Sequence, residues 1–184
     1  QFPEIRRLAE IFVGQGESAV PFASLKEISL SRAPFFRDVR LETDVAKGNV
    51  DFIKKSEAGW DIYMIAPSNV DKKKAFGGYT GNDDKIRGLA FWRYLLEKNE
   101  VSNVKSHLVC FDKTYRRHGD IDPSWLFADI DVTELVEGLL PNVEPSVKAA
   151  FALREKGETP DPDYEVCWRN CSRVEECLAG VPEP

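Results

Sequence analysis

Residues 62–66, Ile-Tyr-Met-Ile-Ala, form an unbroken apolar run closed by Pro67. A strand with no polar alternation has to be buried on both faces, which is the condition of a central strand in a sheet covered by helices. Pro67 is read as its end, because a central strand cannot spare a backbone donor. Ahead of it, residues 54–59 are polar and end in a glycine, and before them Val50, Phe52 and Ile53 make a first apolar run. Residues 49–67 therefore read as two strands joined by a hydrophilic tip. Asp51 lies inside the first run, where a carboxylate is costly unless it has a partner or a task.

The remaining chain supplies elements to cover that strand. Ile5, Leu8, Ala9 and Phe12 recur at helical spacing, with Glu4, Arg6, Arg7 and Glu10 facing outward and Gly14 and Gly16 as terminators. Ser24-Leu-Lys-Glu27 has the form of a capping box. Val39, Leu41, Thr43 and Val45 alternate with charged residues, and Gly48-Asn49 is read as the turn that pairs this strand with residues 50–53. After a Lys- and Gly-rich loop at 67–81, Asn82 caps a helix over 83–98 that is apolar around most of its surface and so should be buried. Residues 104–111 are the next strand, completing a strand–helix–strand unit of the right-handed crossover type. A short strand at 126–131 follows, then a helix stopped by Pro141 and another over 143–156 stopped by Gly157. The layout is α/β: a mixed central sheet of four or five strands flanked by helices. The core spans residues 1–140, of which 1–30 are a helical N-terminal part, and residues 141–184 are a helical, cysteine-bearing extension.

The net charge of −6 excludes a wholly basic surface, so any grip on nucleic acid must come from a local patch. No apolar run approaches the ~20 residues of a membrane span. The N-terminus lacks a basic region followed by an apolar one, so a cytoplasmic setting is expected, with Cys110, Cys167, Cys171 and Cys177 as reduced thiols or metal ligands rather than disulfides. The chain begins at Gln1, as a piece of a longer protein would.

An Asp at a strand end followed by Glu-x-Lys on the next strand is a known chemical unit. The carboxylates hold a hard divalent cation, and the lysine steadies water or charge at a phosphate. Here Asp51 precedes the strand Ile62-Tyr-Met-Ile-Ala66 by the right interval. Residues 59–68 (Gly-Trp-Asp-Ile-Tyr-Met-Ile-Ala-Pro-Ser) and 88–97 (Gly-Leu-Ala-Phe-Trp-Arg-Tyr-Leu-Leu-Glu), with 111–127 and 131–134, resemble the iron–sulfur branch of the PD-(D/E)XK nucleases. That branch includes the CRISPR adaptation exonucleases and RecB-like nuclease domains. The likeness covers about residues 38–140 and, more weakly, the tail. It implies a restriction-endonuclease-like fold, a DNA substrate and Mg²⁺. It also implies a [4Fe–4S] cluster held by three tail cysteines and one upstream cysteine.

The chain departs from that pattern. Met64 stands at the family's Glu position, Ala66 at its Lys position and Trp92 at its Gln position, and Asp51 alone remains. One carboxylate holds Mg²⁺ poorly. The resemblance therefore implies a catalytically inactive nuclease-like domain that binds or positions DNA or a partner within a nucleic-acid-processing or defence system. One alternative is an active Mg²⁺-dependent DNA exonuclease with ligands displaced to Glu42, Asp44 or Asp61. Another is a protein-interaction module without nucleic acid. Asp51 itself is a vestigial catalytic residue and weak Mg²⁺ candidate, or else a strand acid paired with a lysine or a backbone amide. Cys167, Cys171 and Cys177 are an incomplete cluster site, a disulfide set or free thiols, and Cys110 is read as a small buried hydrophobe. Lys72, Lys73, Lys74, Lys85, Arg87, Arg116 and Arg117, with His118, either rim a DNA groove or are solvated loop charge. Trp60, Tyr79 and Trp125 either stack on bases or belong to the core. His107 and His118 are too few for a triad or a zinc site, and Gly77-Gly-Tyr-Thr-Gly81 is no phosphate loop.

Overall fold

The apolar run at 62–66 is the middle of the central strand β4 (Gly59–Val70), and all five of its side chains are buried. Around it the chain lays α1 (Pro3–Gly14), β1 (Val20–Pro21), α2 (Leu25–Leu30), β2 (Phe35–Glu42) and β3 (Lys47–Ser56). After it come α3 (Asp83–Lys98), β5 (Val104–Asp112), α4 (Pro123–Leu126), β6 (Phe127–Asp131) and α5 (Thr133–Lys156). The structure is a computed structural model that describes residues 3–21, 24–70, 83–112 and 114–157, with 67–70 and 83 described by backbone alone. Two compact units result, Gln1–Pro145 and Ser146–Pro184.

The sheet lies in the first unit. It has six strands in the order β1-β2-β3-β4-β5-β6, one or two more than the sequence suggests, because β1 is a two-residue edge strand and β6 closes the far side. β2, β3 and β4 form an antiparallel meander, β4 and β5 run parallel, and β5 and β6 are antiparallel. The helix α3 connects the parallel pair, since parallel neighbours need a long crossover. The amphipathic pattern of α1 buries Leu8, Ala9 and Val13 against Phe35, Phe52, Tyr63 and Phe127 on one face of the sheet. The alternate β4 residue Met64 meets α3 on the other face, under Gly88. Ser24 and Glu27 cap α2 reciprocally, with the Ser24 amide donating to Glu27 Oε2 at 2.7 Å.

Four local expectations change. The β2–β3 turn falls at residues 43–46, where the Thr43 amide donates to the Ala46 carbonyl at 2.8 Å. Gly48 is instead a strand residue opposite Leu41. A Cβ there would come within 3.2 Å of Leu95 and 3.3 Å of Phe91, so this glycine lets α3 lie close to the sheet. Pro67 does not end β4. Its pairing with β5 shifts register between Ile65 and Asn69, and the strand resumes to Val70. Pro141 does not end a helix either, because α5 runs on to Lys156 with Pro141 and Pro145 inside it. The carbonyls deprived of a donor belong to Glu137 and Pro141, both exposed residues that water can serve. Arg6 and Glu10, read as outward-facing, turn to the sheet, and Glu10 pairs with Arg37 at 3.2 Å.

Candidate functional site

The β3–β4 ladder ends at the pair Phe52–Tyr63, and Asp51 is the first residue past it. Its carboxylate takes over where backbone pairing stops: Oδ2 accepts the Ile65 amide at 3.0 Å. The other oxygen, Oδ1, lies 3.5 Å from Arg6 Nη2 on α1. The same guanidinium nitrogen makes a close ion pair with Asp38 Oδ1 on β2. Asp38 and Asp51 are cross-strand neighbours between the pairs Arg37–Phe52 and Val39–Val50, and their own pair is missing from the ladder. Asp38 has a left-handed φ of 56°, an uncommon conformation for a residue with a side chain, which breaks the ladder here. Burial pushes the Asp51 carboxyl above its usual range. The Ile65 amide and the Arg6 charge pull it back, Asp38 adds to the rise, and Lys85 on the first turn of α3 opposes it.

The neighbours that would complete a metal centre are apolar. Met64 is buried with its methyl facing Gly88, where a Cβ would approach to 2.9 Å, and Ala66 is fully enclosed. Trp92 packs over Gly48. Glu42, Asp44 and Asp61 lie elsewhere: Glu42 pairs with Arg40 at 2.7 Å, Asp44 is in the 43–46 turn, and Asp61 is opposite Lys54. Among the described residues no group of three or more His, Cys, Asp or Glu side chains gathers as a metal site. Asp38 and Asp51 do not fit Mg²⁺ as arranged, because the Arg6 guanidinium lies against both carboxylates where the ion would need an all-oxygen shell. Cys167, Cys171, Cys177, Lys72, Lys73, Lys74 and Tyr79 lie outside the described residues.

The parallel pairing of β4 and β5 brings the start of α3 and the loop after β5 to the same end of the sheet. Of the basic residues there, Lys85 is half-buried near Asp51, and Arg87 is exposed and 4.0 Å from Asp84. Arg117 is exposed and donates from Nε to the Gly119 carbonyl at 2.7 Å. Arg116 and His118 line an open groove of ≈ 570 Å³ together with Tyr115, Asp120, Asp122 and Trp125. Trp125 is 68% exposed, so it is not core, whereas Trp60 is half-buried under the Lys55 ammonium.

A second polar cluster crosses β4, β5 and β6. His107 stacks on Tyr63 with ring centroids 4.7 Å apart, and its Nδ1 is 2.9 Å from Asp129 Oδ1. Its Nε2 is buried without a hydrogen-bond partner, 3.9 Å from Asp61 Oδ1. Burial alone would lower the imidazole's pKa. The Asp129 hydrogen bond and the charges of Asp129, Asp131 and Asp61 outweigh it and hold His107 above its usual value. Cys110 is a free, buried thiol whose pKa burial pushes up to about 11, so it is inert as a nucleophile at neutral pH.

Arg6, Asp38 and the His107–Asp129 pair are absent from the residues singled out by sequence. The polar residues on the strand pattern of β2 were the only available signal for Asp38. Arg6 gave none, being 45 positions from Asp51 and unremarkable on an amphipathic helix. Comparison with protein-family models, with curated proteins and with solved structures finds no match.

Proposed function

We propose that this chain is a catalytically inactive nuclease-like domain, of restriction-endonuclease-like design, that positions nucleic acid or a partner protein within a larger system. The supporting layout is a meander of three strands, a buried helix crossing over, and a fourth strand parallel to the third. The observation that carries the reading is the state of Asp51. Its oxygens are committed to the Ile65 amide and to Arg6, and the β4 residues that should bring an acid and an amine are Met64 and Ala66. Replacing two desolvated charges by apolar groups in a buried strand favours the fold while removing the means to bind Mg²⁺.

The test is incubation with labelled single- and double-stranded DNA in Mg²⁺ or Mn²⁺. No cleavage is expected, and cleavage that vanishes in Asp51→Ala would overturn the reading. Asp38 beside Asp51 is the one feature favouring the active alternative, and in that case Asp38→Asn would abolish cleavage too. For the nucleic-acid role, affinity should fall steeply with salt and collapse when Lys72, Lys73 and Lys74 become Ala. Absence of DNA binding at low salt would leave the protein-partner role. An iron–sulfur cluster on Cys167, Cys171 and Cys177 would appear as absorbance near ~400 nm after anaerobic purification, and its absence would remove that part of the proposal.

A further inference from the structure

The groove after β5 is chemically unlike a phosphate site. Two aromatic rings, Tyr115 and Trp125, wall it, and Asp112, Asp120 and Asp122 line it with Arg116, so among the described lining residues carboxylates exceed guanidinium groups by two. Two of the acids also do local work. The Asp112 carboxylate accepts from the Thr114 amide at 2.8 Å and hydroxyl at 2.7 Å. The Asp122 carboxylate caps α4 through the Ser124 amide at 2.9 Å. Asp120 has no hydrogen-bond or ion-pair partner among the described residues. The Arg116 guanidinium is turned to the carbonyl of Tyr115, its own neighbour, at 3.2 Å. A solitary exposed tryptophan carries little meaning. This one is fixed by a helix cap beside an uncommitted carboxylate and a second ring.

We infer that this groove docks a positively charged side chain, arginine above lysine, from a basic segment of a partner protein. A guanidinium stacks flat on an indole while its edge donates two hydrogen bonds to one carboxylate, and Trp125 with Asp120 offers that combination. An ammonium makes the cation–π contact but not the forked bond, so it should bind less well. The surplus of negative charge in the groove, on a chain of net charge −6, selects a basic partner and repels a phosphate backbone. The inference does not depend on the nuclease-like reading, since it uses none of Asp51, Met64 or Ala66.

The test is fluorescence anisotropy at low salt with a short labelled arginine–glycine peptide, its lysine counterpart, and an oligothymidylate of similar length. The arginine peptide should bind, the lysine peptide more weakly. Trp125→Ala and Asp120→Asn should each weaken the arginine peptide by about tenfold. Trp125 is exposed and Asp120 unpaired, so neither change should disturb folding, which circular dichroism would verify. Arg116→Ala gives the sign that separates the ligands: it should tighten the peptide several-fold, whereas a phosphate ligand would be weakened. Peptide binding unaffected by Trp125→Ala, no peptide binding at all, or oligothymidylate binding lost in Trp125→Ala and Arg116→Ala would each overturn the assignment.

Discussion

Replacing Arg6 by Met keeps most of the side chain's apolar stem and deletes the charge between Asp38 and Asp51. At 3.5 Å from Asp51, a guanidinium–carboxylate attraction is ~5 kcal/mol gross at an effective dielectric near 20. Desolvation and side-chain ordering return most of that. Losing a charged hydrogen-bonded partner typically costs ~1.5–3 kcal/mol net. These side chains are 17–30% exposed, so little discount for solvent is due, and about 2–3 kcal/mol is expected with both carboxylates left facing each other. For a chain of this size that is a melting-temperature drop of roughly 4–12 °C. The loss must also depend on pH. The Asp51 carboxyl is already raised in the folded state, so its ionisation penalises folding progressively as pH climbs from the unfolded value, ~3.9, through the folded one. Removing Arg6 raises the folded value further and enlarges that penalty. The difference between wild type and Arg6→Met should therefore be full at neutral pH and shrink on acidification, as the Asp51 carboxylate takes up its proton. Urea unfolding of the two proteins at neutral pH and near pH ~4 measures this, with Asp51→Asn added to Arg6→Met expected to recover about half of the loss. A difference below ~0.5 kcal/mol, or one equally large at both pH values, would show that Arg6 is not neutralising the acid pair.

Asp51→Ala should cost ~1–2 kcal/mol in urea unfolding because it removes the acceptor of the Ile65 amide hydrogen bond, whereas Asp51→Asn should fall within ~0.5 kcal/mol of wild type, since the amide oxygen can still accept. Gly59→Ala should cost ~3 kcal/mol or more, read as a collapse of the melting temperature, because a Cβ would sit 2.2 Å from the Asn103 carbonyl oxygen at a φ of 145°. His107 has a folded pKa above its unfolded value, so its stabilisation is complete below ~6.5 and is lost as pH rises through the folded pKa. NMR titration of its ring protons should place that midpoint above the free value. Asp129→Asn should lower the midpoint and flatten stability between slightly acidic and slightly alkaline pH.

Where physics is local, the chain was readable. The apolar run of β4, the helix Asp83–Lys98 and the Ser24–Glu27 box each state their structure in adjacent residues, and each forms as expected. Gly48 was misread because a Gly-Asn pair looks the same whether the glycine serves a turn or admits a helix, and the helix residues that decide it, Phe91 and Leu95, are more than 40 positions away. Pro67 and Pro141 were misread because proline forbids one hydrogen bond, not an element. A register shift absorbs the first, and exposed carbonyls absorb the second. Asp51 was conspicuous as a lone acid among apolar neighbours, but its partners are a backbone amide on another strand and an arginine on the first helix, and no periodicity encodes either. The Trp125 groove was legible only as an aromatic residue near basic ones. The three acids that reverse its electrical sign, Asp112, Asp120 and Asp122, stand in the same stretch of sequence, but only the fold shows that they line one groove with Arg116 and Trp125.

That reversal constrains where a nucleic acid could lie. At the sheet end shared by α3 and the loop after β5, Lys85 is drawn to Asp51, Arg87 is balanced by Asp84 and Arg116 is outnumbered in its groove. Of the basic residues described there, Arg117 alone is exposed without a carboxylate partner, and a field strong enough for phosphate binding would need Lys72, Lys73 and Lys74, which lie outside the described residues. Asp51 needs no catalytic task to account for it either. It closes the backbone gap where β3 leaves β4, and with Arg6 in place the acid pair is neutral enough to be half-buried without a metal ion. Asp51 therefore has a structural reason to be there, which makes the comparison of Asn with Ala at position 51 a sharper probe of its role than the presence of the residue itself.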